Sequence, residues 1–401
     1  MRTWNLVFMR LLLITCFLML PGTAAANSGG SPAAVSGTVL DPSGGVVASA
    51  TVEIQNPVSE FDSKTTTDIS GNFSFTNIPL NPYHLTVRME GFAPFVQDIE
   101  VRSSVPLELK INLKVAGTTS TVTVESGAGD LLENDPTTHT DLDRSLFDKL
   151  PLESASSSVS SLVTLGSPGV AADSNGLFHG LGDHAENSFS VDGQPITDQQ
   201  SKIFSNQIPI DSIQSLEVIE GAPPAEYGDK TSLVINVTTR SGQGVTSPHG
   251  GVTASYGAFG TSNLGFNLAY GGERWGNFIS ANGLESGRFL DPPEFTVMHD
   301  KGNEENLFDR VDYQFSTANS VHMNFGYTRS WFQNPNAFDN LNPGLTEGTL
   351  FGDPTNTTLV GAADQRSEIQ TLNFAPTWTR LLSSNAVLTL GAFVRMDHYN
   401  Y

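Results

Sequence analysis

Residues 263 to 270 alternate Leu264, Phe266, Leu268 and Tyr270 with Asn263, Gly265, Asn267 and Ala269. The same period of two returns in FDRVDYQFS, where Val311, Tyr313 and Phe315 oppose Asp312, Gln314 and Ser316, and in SVHMNFGYT, where Val321, Met323, Phe325 and Tyr327 oppose His322, Asn324 and Gly326. Leu372, Phe374 and Trp378 continue it, as do Leu388, Leu390 and Val394. One apolar face and one small or polar face, held over ~10 residues, is the pattern of a strand with lipid on one side and a polar lumen on the other. The connections alternate in length. Gly271 to Arg274, Thr317 to Ser320 and Arg380 to Asn385 are short, whereas Leu284 to Glu305 and Phe332 to Ser367 are long and rich in Asn, Gly, Pro and Asp. A soluble sandwich also alternates, but it does not predict that ordering of loops. Residues 245 to 401 are therefore expected to form part of a transmembrane antiparallel β-barrel.

Seven candidate strands begin near 251, 262, 275, 306, 321, 368 and 386. Plugged outer-membrane barrels use an even number, ~22, and at roughly 22 residues per strand that many would need on the order of 480 residues. The sequence is expected to hold the N-terminal part of such a barrel and to be a fragment that transports nothing alone.

The other end of the chain reads as an address. Arg2 and Arg10 precede the apolar run Leu11 to Leu20, and Ala24-Ala25-Ala26 follows, which predicts a signal peptide over 1–26 cleaved after Ala26. The single cysteine, Cys16, falls inside that run, so the remainder has no thiol for a disulfide or a zinc-cysteine site. A formal charge of -22 argues against nucleic-acid partners, which require clustered Lys and Arg. A charged fraction of only 15% with 38 glycines suits β-structure with many turns.

Between these ends lie two further segments. Residues 33–114 predict a β-sandwich: Val52 and Ile54 alternate with Glu53 and Gln55, Phe73 and Phe75 share a face, Tyr83, Leu85 and Val87 share another, and Leu107 to Leu113 alternate with charged and polar residues. Gly37-Thr38-Val39, Asp68, Gly71, Phe73, Phe75, Ile78-Pro79, Tyr83 and Leu85 resemble the carboxypeptidase regulatory-like domain, a transthyretin-like or carbohydrate-binding-like fold. Its family name suggests a peptidase, yet no His-x-x-Glu pair is present to hold zinc, so packing or docking is expected of it.

Residues 115–130 read as a linker, within which Thr119 to Ser126 alternate as a short strand. That strand suits either pairing with a partner's sheet edge or a place as the last strand of the sandwich or a plug strand. Residues 131–244 mix strand and helix. A serine-rich helix is predicted from about Ser154 to Leu165, ending at Gly166 and Pro168, and Asp192-Gly193 marks a hairpin.

The order Leu150-Pro151, Pro168-Gly169-Val170, Val191-Asp192-Gly193, Ile213, Leu216-Glu217-Val218, Gly221, Pro223, Tyr227-Gly228 and Val234-Ile235-Asn236 resembles the plug domain of TonB-dependent outer-membrane receptors. Thr231-Ser232-Leu233 stands where many of these receptors have a glycine pair. With the preceding sandwich, the resemblance is to the Oar-like subgroup. It implies an outer-membrane receptor, not an enzyme, that binds an unknown extracellular ligand and imports it into the periplasm. It also implies the TonB-ExbB-ExbD complex and outer-membrane lipid as partners, and no cofactor. Thr121, Val122, Thr123, Val124, Glu125 and Ser126 resemble a TonB box, and Thr238 to Gly244 would be a hinge from plug to barrel. An adhesin or structural surface protein on the same scaffold is the alternative.

No other chemistry is legible. His179 and His184, with Asp183 and Glu186, fit no established ligand spacing, and no serine lies in a Gly-x-Ser-x-Gly elbow. Trp331, Phe332 and Phe338 read as loop aromatics for a ligand or, for Trp331, as part of the aromatic girdle at the barrel rim.

Overall fold

The protein is described from a computed structural model. It covers residues 33–56, 61–79, 81–101, 107–116, 139–147, 158–172, 178–180, 187–196, 208–221, 227, 232–245, 247–272, 274–290, 299–316, 318–333, parts of 344–358, 366–383 and 386–400. The predicted signal peptide with Ala26, the segment Thr121 to Ser126, Pro223, Gly228, His184 and Phe338 lie outside the described residues.

Strands β1 (Ala33–Leu40), β2 (Thr51–Asn56), β3 (Phe61–Thr66), β4 (Asn72–Ile78), β5 (Asn81–Arg88), β6 (Phe92–Ala93), β7 (Phe95–Val101), β8 (Leu107–Asn112) and β9 (Lys114–Val115) form the predicted sandwich. One sheet has the order β4-β1-β8 and the other β3-β2-β5-β7, while β6 and β9 pair separately. The alternation expected from sequence places Val52, Ile54, Phe73, Phe75, Tyr83, Leu85 and Val87 in one buried core. Tyr83 carries its hydroxyl into that core because it donates to the Pro79 carbonyl at 2.7 Å. Gly37 has no substitute here: a Cβ would lie 2.4 Å from the Leu109 carbonyl oxygen of the parallel neighbour β8.

The second unit is a five-stranded sheet in the order β10-β15-β16-β13-β14. Its strands are β10 (His139–Asp143), β13 (Asn187–Val191), β14 (Gln194–Ile196), β15 (Ile213–Glu220) and β16 (Leu233–Thr239), and a small pair, β11 (Val170–Ala172) and β12 (Phe178–Gly180), lies beside it. The predicted serine-rich helix spans Ser158–Gly166, and Val159, Leu162 and Val163 bury its apolar side against Leu142, Leu216 and Ile235. Strands β15 and β16 pair antiparallel, and β15 ends just before Gly221, whose φ of +83° suits glycine. Ser232, standing where a glycine pair is common, is accommodated by Gly180, because a Cβ there would approach Ser232 Oγ to 2.7 Å.

The third unit is the wall. Strands β17 (His249–Tyr256), β18 (Ser262–Gly272), β19 (Trp275–Ser286), β20 (Gly302–Ser316), β21 (Asn319–Gln333), β22 (Arg366–Ser383) and β23 (Ala386–Gly391) pair in sequence order, each antiparallel to the next. A last strand, β24 (Val394–Asn400), also pairs with β22, in the same register as β23: Thr377 faces Gly391 and Phe374 faces Val394. The two pieces are one strand interrupted opposite Pro376, which accepts from the Ala392 amide at 3.0 Å but has no N–H to return. Among the described residues the wall therefore has seven strands, as the alternation predicts. They run longer than expected, up to 18 residues in β22, so the loop predicted from Leu284 to Glu305 shrinks to 287–301. Among the described residues no helix is long and apolar enough to cross a membrane, which says nothing of strands.

The wall is inverted relative to a soluble sheet. Leu264, Phe266, Tyr313, Phe315, Phe374 and Leu390 point outward and stay exposed, while Asn306, Arg310, Asp312, Gln314, Asn324 and Thr328 point inward and are buried against the plug sheet. This is the partial transmembrane barrel that the period-two pattern predicts. An arginine on the outward face would meet hydrocarbon. Phe325→Arg, at the middle of β21, is expected to cost about 2–4 kcal/mol of folding stability in lipid vesicles. Urea unfolding of the two proteins measures it.

Candidate functional site

The plug sheet meets the wall through one buried polar cluster. It is built from the Asp192-Gly193 turn of the β13–β14 hairpin, where φ is +48° at Asp192 and +81° at Gly193. Two successive positive φ values define the tight turn that Asp-Gly favours, and it aims the Asp192 side chain out of the sheet end. Parallel pairing of β13 with β16 ends at Val191 and Val237, and the Asp192 amide then donates to the Val237 carbonyl at 2.9 Å. That register brings Thr239 alongside, whose amide and hydroxyl donate to the two Asp192 carboxylate oxygens at 3.0 and 2.6 Å.

The wall supplies the opposite charge. Arg310 stands on the inward face of β20, fully buried. Its Nη1 reaches Asp192 Oδ2 at 3.3 Å, Thr239 Oγ1 at 2.8 Å and the Thr239 carbonyl at 3.1 Å. Its Nε and Nη2 hold Asp312, two residues along the same face, at 3.0 and 2.7 Å. Asn324, directly opposite Arg310 on β21, donates to Asp192 Oδ2 at 2.6 Å, and Ser241 Oγ donates to Asp312 at 2.6 Å. Burial alone would push the Asp192 carboxyl up, but the Arg310 guanidinium, with His322 and the Thr239 donors, holds it below the ordinary carboxylate value of 3.8. A buried charge is tolerated only when paired and hydrogen-bonded in this way.

Two further contacts flank this latch. Gln194 and Asn373 exchange both amide hydrogen bonds, at 2.7 and 3.0 Å, and Gln243 donates to Gln314 at 3.0 Å. Thr238 to Gly244, expected as a hinge, is packed instead. A Cβ at Gly242 would lie 2.2 Å from the Asn277 carbonyl oxygen, and one at Gly276 would lie 1.9 Å from the Gln243 nitrogen. The backbone lies directly on the wall, so the segment is a seam and not a free joint.

Within the plug, three of the residues singled out by sequence converge. Asn236 donates to Glu217 Oε2 at 2.9 Å and to the Tyr227 hydroxyl at 2.8 Å, and accepts from Ser190 Oγ at 2.8 Å. Val191 is buried in the plug core, and the Gly221 amide at the end of β15 donates to the Ser232 carbonyl at 3.1 Å. Phe332, expected in a loop, is a correction: it is the penultimate residue of β21, 2% exposed, and stacks on Phe289 at 5.7 Å. Its position in the strand period turns it inward, away from solvent. Trp331 points outward at the same level, with the Arg366 guanidinium 5.7 Å from its ring centre. Among the described residues no group of three or more His, Cys, Asp and Glu side chains is close enough to hold a metal.

Sequence reading passed over Arg310, Thr239 and Asn324. The available signal was an arginine on the polar face of a barrel strand, two residues from an aspartate, in a chain with only 20 Lys and Arg.

Residues 34–114 match the carboxypeptidase regulatory-like domain and residues 134–232 match the TonB-dependent receptor plug domain. The TonB-dependent transporter Oar of Myxococcus xanthus is 25% identical over 232 residues, a match covering 55% of this chain and 21% of that protein. The chain thus spans about a fifth of the length of this relative. Among solved structures, the alcaligin outer-membrane receptor FauA of Bordetella pertussis is 12% identical, with 66% of this chain and 40% of that one covered at a TM-score of 0.47. The ferric-catecholate import receptor Fiu of E. coli K12 is 15% identical, with 66% and 38% covered at 0.48.

Because Asp192 titrates lower in the folded protein than in the unfolded chain, its contribution is fully present above the ordinary carboxylate value of 3.8 and is lost as pH falls below it. The stability difference between wild type and Asp192→Asn is expected to be constant from pH 7 to 5 and to shrink toward pH 3. Urea unfolding across that range measures it.

Proposed function

We propose, from the premise that this chain is an Oar-like TonB-dependent receptor with a regulatory-like sandwich before its plug, that it serves in ligand import across the outer membrane. The protein is exported by a signal peptide cleaved after Ala26 and takes its place in outer-membrane lipid through the outward apolar face of the wall. An extracellular ligand binds above the plug, and TonB, energised with ExbB and ExbD, pulls on the chain from the periplasmic side to open a path. The observation that carries this reading is the buried plug-to-wall latch at Asp192 and Arg310. The groups of such a polar junction can take up water when plug and wall part.

The proposed TonB-contacting segment is Thr121 to Ser126. It precedes β10, which among the described residues is an edge strand of the plug sheet pairing only with β15, from His139 with Ile219 to Asp143 with Ser215. Tension on an edge strand breaks its ladder a bond or two at a time, a lower barrier than shearing the whole sheet. The hydrogen-bonded cluster of Asp192, Thr239 and Arg310 would hold the far side of the plug while that edge yields. The remaining motif residues, Val191, Gly193, Glu217, Gly221, Pro223, Tyr227, Gly228 and Asn236, are assigned to shaping the plug and not to touching ligand.

Deletion of residues 119–126 in cells expressing the receptor is expected to abolish energised uptake while ligand binding to the cell surface persists. Uptake unchanged by the deletion removes the TonB assignment. Uptake that does not depend on TonB at all favours a surface protein without transport.

A further inference from the structure

Between Glu305 and Tyr313 the outward face of β20 carries Leu307, Asp309 and Val311, alternating with the buried inward residues Asn306, Phe308, Arg310 and Asp312. Tyr313 belongs to the aromatic residues of the short-turn end: it packs edge-on with Phe315 and faces Trp275 across the ladder. Glu305, toward the long loops, pairs with Arg329. Asp309 stands four residues from each, about 13 Å along the strand in either direction. That is the middle of an apolar band about 25 Å tall. Its direct neighbours across the two ladders are Ile279 of β19 and Phe325 of β21, both apolar and on the same outward face.

An ionisable side chain at that depth is costly and belongs with a partner. Its own chain supplies part of one. The Asn277 amide, also outward on β19, donates to Asp309 Oδ1 and to the Arg310 carbonyl at 3.0 Å. Among the described residues no second donor reaches the carboxyl, and hydrocarbon offers none. Beside this pair β19 turns Ala281 and Gly283 outward, opposite Leu307 and Glu305. A Cβ at Gly283 would meet nothing within 4 Å, so packing inside the chain does not require glycine there. Small residues on a lipid-facing surface let a second surface approach closely.

We infer that Asp309 and Asn277 are the centre of a contact between two copies of this chain within the membrane. Two copies share one orientation in the bilayer, so the two-fold axis that relates them runs along the membrane normal. Set between β19 and β20, that axis lays β20 of one copy opposite β19 of the other at equal depth. The Asp309 carboxyl of each copy then meets the Asn277 amide of the other, and the two pairs close a ring in which carboxyl and amide alternate. Each copy supplies one of each group, the self-complementarity that an isologous interface requires. The inference rests on the wall facing lipid and not on what the receptor imports.

The test uses the purified receptor in phosphatidylcholine vesicles, dilute enough in lipid to suppress chance collisions. The only native cysteine is Cys16 of the predicted signal peptide, so a single introduced thiol reports alone. Ile279→Cys places one beside the axis, and Leu390→Cys places one on the outward face of β23, far from it. Oxidation is expected to trap a disulfide-linked dimer of Ile279→Cys and to leave Leu390→Cys monomeric. Adding Asp309→Leu should cut the trapped fraction about tenfold, whereas Asp309→Asn, which keeps a donor and an acceptor in place, should change it less than about threefold. A leucine suits a lipid-facing position, so the first variant folds, and circular dichroism of the vesicles checks that it does. Monomer alone from Ile279→Cys, or equal trapping by the two thiols, overturns the contact. Undiminished trapping with Asp309→Leu also overturns it, by making association independent of the polar pair.

Discussion

A guanidinium with no exposure to solvent must find a partner for each of its faces, and Arg310 finds them in two different parts of the molecule. Asp312 is its neighbour on the wall; Asp192 and Thr239 belong to the plug. The pairing is therefore a joint between two units, made by residues that stand 118 positions apart in the chain. Everything nearby conforms to it. The Asp-Gly turn exists at an angle only such a turn provides, Asn324 sits opposite Arg310 to complete the carboxylate's shell, and the seam at Gly242 and Gly276 lets the connecting backbone lie flat on the wall.

That joint makes sense of the inverted wall. On the mostly polar inward side, the described attachment is made by hydrogen bonds and one ion cluster, with Arg240 laid over the buried Phe278 ring at 4.6 Å. Such an interface is specific in geometry, since each buried donor and acceptor needs its partner, yet its parts regain water when separated. Gln194 with Asn373 and Gln243 with Gln314 extend the same chemistry to either side. The sandwich lies at the short-turn end of the wall, where a Cβ at Gly244 would be only 3.4 Å from the Lys64 carbonyl oxygen. A cavity of about 610 Å³ opens there, lined by Phe61, Lys64, Ser74, Thr239, Arg240 and Asp312, so the sandwich forms the floor beneath the latch.

Strand alternation was legible because a period of two over ten residues is a local property. It located the sandwich core at Val52, Ile54, Phe73 and Tyr83 and the outward face of the wall at Leu264, Phe266 and Phe374. The Asp192-Gly193 turn was legible for the same reason. The partner of Asp192 was not, because a contact across 118 residues leaves no local trace. Phe332 was misread since a loop and a strand end look alike when aromatic residues stand beside Asn and Pro; only the register with Gly302 shows that it turns inward. The packing of Thr238 to Gly244 was hidden by its glycines. They read as freedom in the sequence and serve as close approach in the structure.

The central claim is that Asp192 and Arg310 couple the plug to the wall. A double-mutant cycle tests it most directly, with Asp192→Asn, Arg310→Met and the pair, each unfolded in urea. Removing Arg310 alone strands two buried carboxylates and is expected to cost about 3–5 kcal/mol. The account predicts that the double variant recovers a substantial part of that loss, a coupling of about 1–3 kcal/mol. Strict additivity of the two substitutions would contradict it, and would mean that the plug is held to the wall by other contacts.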